Sequence, residues 1–463
     1  MTARADLPAP VNGRIAHWFA EVPEPRPSLP GDRDADVCVV GAGLTGLWTA
    51  YYLKKADPAL RITVLEAEFA GFGASGRNGG WASGLVPGAR DRMAALRGRP
   101  AVLDWQKAMN EAVDEVIAVA AREGIDADIV KSGTLRVART PAQATRLRHK
   151  VEQDHEWGVP DSVLLGPDEA AERIRVDGMT AAAYTPHCAR LQPAALVRGL
   201  AETVERLGVT IYEKSPVSVI EPGRARTAHG TVSAPVVLRA TEGFTASLRG
   251  LRRAWLPMNS SMIVTEPLTA RTWREIGWEG RETLGDTAHG HMYAQRTAED
   301  RIAIGGRGVP YRFGSRTDDA GQVSEHTVTQ LMRTLEVMLP QTAGVRVEHT
   351  WCGVLAVPRD WSATVGLDRA SGLGWAGGYV GHGVTSTNLA ARTLTDLVLR
   401  RDTRLTRLPW TGHEPGRWEP EPFRWLGVRG LYLAYRLADR HEARGRARTS
   451  PIATVADLIA RRP

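Results

Sequence analysis

The chain has 463 residues, of which 43% are hydrophobic and 24% charged, values of a globular protein long enough for two domains. Its formal charge is +7, which could mark an acidic partner, but the basic residues are scattered as a GC-rich coding bias would leave them and no nucleic-acid motif accompanies them, so no nucleic-acid partner is expected. No apolar run reaches the roughly 18 residues of a membrane span, the N-terminus lacks a signal-peptide apolar core, and Cys38, Cys188 and Cys352 have neither metal nor disulfide spacing; a cytoplasmic protein without a metal is expected.

Residues 1–35 read as an arm. Its proline-rich stretch 22–30 should be extended, and Ile15, Trp18 and Phe19 should anchor a short helix on the body. Then Val37, Val39 and Val40 predict a buried strand, Gly41, Gly43 and Gly46 form G-x-G-x-x-G, and residues 44–53 continue as a helix. The first glycine allows a tight turn, the second lets a pyrophosphate approach the backbone, and the third lets the helix pack closely on the strand. The helix N-terminus offers free N–H groups and a positive dipole. A second strand, 61–65, ends on Glu66, placed to accept hydrogen bonds from a ribose. This is a dinucleotide site by pattern and context.

The chain then enters a second glycine-rich loop, 71–84, GFGASGRNGGWASG, poor enough in side chains to let a ligand approach the backbone. Helices are predicted over 101–123, 143–157, 193–207, 326–338, 385–399 and 426–442. A strand pair is expected over 129–139, a strand over 231–240, and further strands at 261–265, 291–296, 301–305, 345–356 and 362–365. The helix from 385 follows a third glycine turn, GGYVGHG at 377–383.

GAGLTG with Glu66, the loop GASGRNGG and the late GGYVGHG together resemble the D-amino-acid oxidase-like flavoproteins, in particular the subgroup of γ-glutamylputrescine oxidoreductase and the glycine and sarcosine oxidases. The likeness spans about residues 30–400. It implies an α/β fold with an α+β cap: a Rossmann-like FAD-binding domain of the glutathione-reductase type and a discontinuous substrate domain on a mixed sheet. The corresponding division is an arm at 1–35, an FAD domain from 36–90, 185–250 and 346–402, a substrate domain from 91–184 and 251–345, and an Arg- and Trp-rich extension at 403–463.

By that resemblance the adenosine and pyrophosphate lie on Gly41, Gly43, Leu44, Thr45, Gly46 and Glu66. Ala74, Ser75, Arg77, Asn78, Gly79 and Gly80 pass the ribityl chain and flavin. Val217 meets adenine, and Ala240 and Thr241 border the pyrophosphate, with Glu242 replacing the family's Asn. Gly378, Tyr379, Gly381, His382, Gly383 and Val384 reach the pyrimidine side of the ring. Three residues are candidates for substrate chemistry: Tyr293 on a substrate-facing strand, Arg307 as a carboxylate grip, and His382 as a base. Each has a plainer reading: a solvent-facing strand, a solvated Arg, and a histidine that matters only for its peptide bonds. Tyr379 could cover the flavin or pack, and Asn78 could hold its turn or touch substrate. Alignment puts Gly353, not Cys352, where some sarcosine oxidases join a cysteine to FAD, so non-covalent FAD is expected. Thr385 replaces a carboxylate-binding Lys, which favours an amine or a larger amino compound. The resemblance implies oxidation of an amine or amino-acid C–N bond to an imine, with O2 giving H2O2. The alternatives are a dehydrogenase feeding a quinone or carrier protein, and a non-catalytic flavin-binding partner protein.

Overall fold

The computed structural model describes residues 10–306, 311–317 and 320–461. Arg307 lies outside the described residues.

Two sheets organise the chain. In the six-stranded sheet the strands lie in the order Thr210–Tyr212, Ile62–Leu65, Val37–Val40, Val236–Arg239, Leu373–Gly377 and Thr364–Asp368. The first five are parallel and the last is antiparallel. Every residue of Val37–Val40 and Ile62–Leu65 is buried. Such continuous burial, with Thr63 the one polar side chain, is what parallel strands covered on both faces require. Leu47 and Leu53 of the helix Leu44–Ala56 share one core with Leu196 and Leu200 of Pro193–Arg206 and Ala391 of Gly383–Val398. This is the Rossmann-like arrangement, with the glycine motif at the strand-to-helix turn.

The nine-stranded mixed sheet runs Val11–Asn12, Val347–Val357, Leu256–Thr265, Ile302–Gly306, Met292–Arg296, Thr283–Asp286, Thr134–Ala138, Ala181–Thr185 and Val163–Leu165. Ile263, Ile304, Ala294 and Leu284 pack with Leu331 and Leu335 of the helix Glu325–Met338, whose N-terminus is capped by Ser324 accepting from Thr327 N–H. The long strand Val347–Val357, grouped by sequence with the FAD domain, hydrogen-bonds along Leu256–Thr265 in this second sheet.

Other differences from the sequence reading have local causes. The expected strand over 231–240 is two strands in different sheets, Gly230–Ser233 and Val236–Arg239. Pro235 separates them, and a proline cannot donate to a ladder. The expected pair over 129–139 is one strand, Thr134–Ala138, preceded by a bridge from Val130 to Arg190. In the arm, Trp18 and Phe19 are buried as anchors, but no helix forms around them. Instead Val11–Asn12 adds a parallel strand beside Val347–Val357.

The extension after 402 is part of the body. Trp410 is fully buried against Trp105, with ring centroids 5.5 Å apart. The helix Phe423–Glu442 is fixed at its far end by Glu442, which accepts from His289 Nε2 at 2.9 Å, Arg146 at 2.8 Å and Ser450 N–H at 2.8 Å. Burial opposes its charge, but these donors hold the Glu442 carboxyl down to about 2. A further helix, Pro451–Ala460, follows. Among the described residues no helix is long and apolar enough to cross a membrane.

Removing one partner of a buried charge cluster leaves the others unsatisfied, typically at about 3 kcal/mol. Glu442→Ala is therefore expected to lower unfolding stability by about that amount. Amide exchange should accelerate across 423–460 while protection of Val37–Val40 changes less; an even loss across both would show that the helix is not held locally.

Candidate active site

One continuous cavity of about 1890 Å³ runs between the two sheets. Its lining includes Gly41, Gly43, Glu66 and Val217, residues of the 73–81 loop, Tyr293 and residues 379–384. The helix Phe423–Glu442 closes another side with Val428, Tyr432 and Tyr435.

The first loop is built from close backbone approaches. Gly41 has φ +109°, and a Cβ there would lie 2.7 Å from the Ala240 carbonyl oxygen. A Cβ at Gly46 would lie 2.0 Å from the Gly41 carbonyl oxygen. Gly43 differs, because it stands at the helix N-cap position on the cavity wall, where a Cβ would meet Ser75 Oγ at 2.8 Å. That same Ser75 hydroxyl accepts from Leu44 N–H at 2.8 Å, tying the second glycine loop to the first. Glu66 accepts from Ala42 N–H at 2.8 Å and from Glu68 N–H at 3.0 Å. Burial pushes its carboxyl up to about 7 despite these bonds.

The third loop is anchored by Glu242. Its carboxylate accepts from Gly378 N–H at 2.8 Å, Ala356 N–H at 3.1 Å and Tyr379 N–H at 3.4 Å. Burial raises its carboxyl to about 7, with the backbone donors acting against the rise. Ala240 and Thr241 line the cavity beside it. Gly378, Tyr379 and Gly381 lead to His382, the N-cap of the helix Gly383–Val398, so a second helix N-terminus opens on the same cavity with Gly383 and Val384 at its mouth. Burial above all, and then Arg136 and Lys150, lower the His382 pKa to about 4, so its imidazole is neutral at physiological pH.

Several side chains named from sequence serve the scaffold. Asn78 donates to the Ala74 and Ser75 carbonyls and accepts from Gly80 N–H, which is the turn-holding role. The Arg77 guanidinium donates to the Phe72, Cys352 and Arg14 carbonyls and stacks on Phe72, and the residue also borders the cavity. Tyr379 is 2% exposed and its hydroxyl meets Thr45 Oγ1 at 3.1 Å, while the residue also lines the cavity. Cys352 is buried, whereas Gly353 lines the cavity. Thr385 is 1% exposed and, among the described residues, its hydroxyl has no partner.

Alternation along Met292–Arg296 places Tyr293 and Gln295 on one face, as the sequence indicates. That face meets the second glycine loop. Gln295 donates to the Gly79 carbonyl at 2.7 Å, and a Cβ on Gly79 would meet the Tyr293 ring at 2.7 Å. The Tyr293 hydroxyl pairs with Ser260 Oγ at 2.9 Å, and Trp81 stands edge-on with centroids 6.2 Å apart. His291 is exposed and lies outside the strand. Sequence reasoning missed Arg136 and Lys150, both on the cavity wall. The only available signal was a charged residue inside the apolar strand 134–138.

These features fit FAD. Two helix N-termini and three glycine loops face one cavity, and the Glu66 carboxyl, the expected ribose partner, lines it too. The ionised form of Glu66 is the better acceptor, so affinity of the apoprotein for FAD should rise as pH increases through about 7. Glu66→Gln should flatten that dependence, Glu66→Ala should weaken binding by about 1.5–3 kcal/mol, and Gly43→Val should lower FAD occupancy. Titration of apoprotein followed by flavin fluorescence checks all three; identical affinities and pH profiles in wild type and variants would remove Glu66 and Gly43 from the site.

Comparison with known proteins agrees with the construction. The family model described as FAD dependent oxidoreductase matches residues 36–397. The chain is 30% identical over 415 residues to γ-glutamylputrescine oxidoreductase of Escherichia coli, covering 88% of this chain and 93% of that one. It is 22% identical over 377 residues to glycine oxidase of Bacillus licheniformis, covering 79% and 93%. Among solved structures, L-proline dehydrogenase from P. horikoshii superposes with a TM-score of 0.68 at 20% identity, covering 82% of this chain and 98% of that one. Glycine oxidase from Geobacillus kaustophilus gives a TM-score of 0.66 at 22% identity, covering 80% and 96%. With the glycine loops, the paired helix termini and this extent of similarity, the chain belongs to the FAD-dependent oxidoreductases of the D-amino-acid oxidase type.

Proposed function

We propose that the enzyme oxidises the C–N bond of an amine or amino acid to an imine, which water hydrolyses, and that O2 is the final electron acceptor, giving H2O2. The observation that carries this reading is the single cavity in which the dinucleotide loops and the Trp81–Tyr293 wall adjoin. Bound FAD, held without a covalent link, supplies the two-electron acceptor for hydride leaving the carbon next to nitrogen.

The chain's residues shape and dry that space. Tyr293, held by Ser260, and Trp81 form an aromatic wall against which an aliphatic amine packs. The helix N-terminus after His382 opens on the cavity, and if the pyrimidine side of the ring lay there, its positive potential would favour negative charge on it. His382 contributes position and a neutral imidazole rather than a charge. Its role as a base is not needed, because a neutral amine can lose hydride without one. Arg307 directly follows the strand Ile302–Gly306 and remains a candidate carboxylate partner by its place in the chain. Thr385 puts no cation at the helix start, which suits a substrate whose amine ends a longer chain, as in the compound named for the Escherichia coli relative.

Anaerobic mixing with γ-glutamylputrescine, plain diamines, sarcosine, glycine, proline and both enantiomers of common amino acids should bleach the flavin with at least one long-chain amine. Admitting air should restore the colour with one H2O2 per turnover. Bleaching by none of them would overturn the amine reading, and reoxidation by a quinone but not by air would overturn O2 as acceptor. Acid precipitation should release all the flavin. His382→Asn should keep kcat within about tenfold of wild type without moving the pH profile; loss of a titrating limb would make His382 the base after all.

A further inference from the structure

The strand Thr134–Ala138 carries into the cavity a cation that the fold does not use. Leu135 and Val137 point into the apolar core of the large sheet, so alternation sends Arg136 to the opposite face. There it borders the cavity, paired in register with Gly285 on one side and Ala183 on the other. Both neighbours are small. A Cβ on Gly285 would lie 3.9 Å from Arg136 Cγ and 3.5 Å from the Trp81 ring, so Arg136 shares a stretch of wall with the aromatic residue that abuts Tyr293.

Among the described residues the Arg136 guanidinium makes no hydrogen bond and no ion pair, unlike the other arginines deep in this part of the molecule. Arg90 binds Asp154 at 2.9 Å and Gln106 at 2.6 Å, and Arg146 binds Glu442 at 2.8 Å. The carboxylates that attract Arg136 from a distance are already engaged. Asp154 holds Arg90 and Lys150, and Asp286 accepts from Met292 N–H at 2.9 Å. Arg90, Arg136 and Lys150 together outnumber Asp154 and Asp286 by one positive charge. Burial disfavours the charge of Arg136, the fields of Asp154 and Asp286 offset only part of that cost, and among the described residues no acceptor meets the guanidinium. A planar fork of donors facing a cavity without an acceptor matches a carboxylate in shape and charge. The fields of Arg136 and Lys150 also reach His382, at the mouth of the helix Gly383–Val398.

We propose that Arg136, backed by Lys150, grips a carboxylate on the substrate, at a position separate from the reacting nitrogen. This rests on the amine-oxidation reading for the identity of the ligand, but the anion site can be tested without turnover. Holoenzyme is titrated with glutarate by calorimetry, and kcat/KM is compared for 5-aminopentanoate and pentylamine. Arg136→Gln should weaken glutarate binding about tenfold or more and lower the carboxylate-to-plain-amine ratio of kcat/KM by a similar factor. Arg136→Lys should recover part of both. Arg307→Gln should move the ratio less. FAD content and melting temperature report whether the variants fold. If no amine is turned over, the functional reading fails while the glutarate arm still decides the site. Equal glutarate affinity in wild type and Arg136→Gln, no glutarate binding by the wild type, or a loss of FAD affinity in place of carboxylate discrimination would overturn the assignment.

Discussion

Three separate stretches of backbone line one cavity, and side-chain oxygens satisfy backbone donors in each. Ser75 accepts from Leu44 N–H, Glu66 from Ala42 N–H, and Glu242 from Gly378 and Tyr379 N–H. Glycine loops brought this close bury backbone N–H groups that no helix or ladder can pair, and an unpaired buried donor costs about 1–3 kcal/mol. These three residues solve that problem while leaving Gly43 and the start of the Gly383–Val398 helix open to a ligand. Glu242 meets the same constraint a second time, because its carboxylate spans from the third loop to Ala356 N–H on the neighbouring strand.

What the sequence made legible was local. Gly41, Gly43 and Gly46 are required by contacts within a single strand–turn–helix unit, so their spacing carries the information. Glu66 follows from the next strand of the same unit. Tyr293 and Gln295 are legible because a strand of known phase fixes which residues share a face. Asn78 holding its own turn is likewise a short-range effect.

What was hidden depends on long-range pairing. Val347–Val357 reads as a strand of either sheet until its register with Leu256–Thr265 is known. Arg136 looks like an interruption of an apolar strand; only its pairing with Gly285, from a distant part of the chain, shows that it faces a cavity. The scaffold role of Arg77 was hidden for the same reason, since its acceptors include Cys352 and Arg14. Burial and partners of this kind are properties of the assembled sheets, with no trace in spacing or periodicity.

The helix Phe423–Glu442 has a further consequence. It forms a wall of the cavity, yet it is encoded at the opposite end of the chain from Gly41–Glu66 and is pinned at its far end by Glu442. Cofactor retention and the shape of the far wall are therefore written in separable segments. Divergence in the last forty or so residues can remodel what fits opposite the dinucleotide loops while the loops themselves stay fixed, so relatives with identical glycine motifs need not share a substrate.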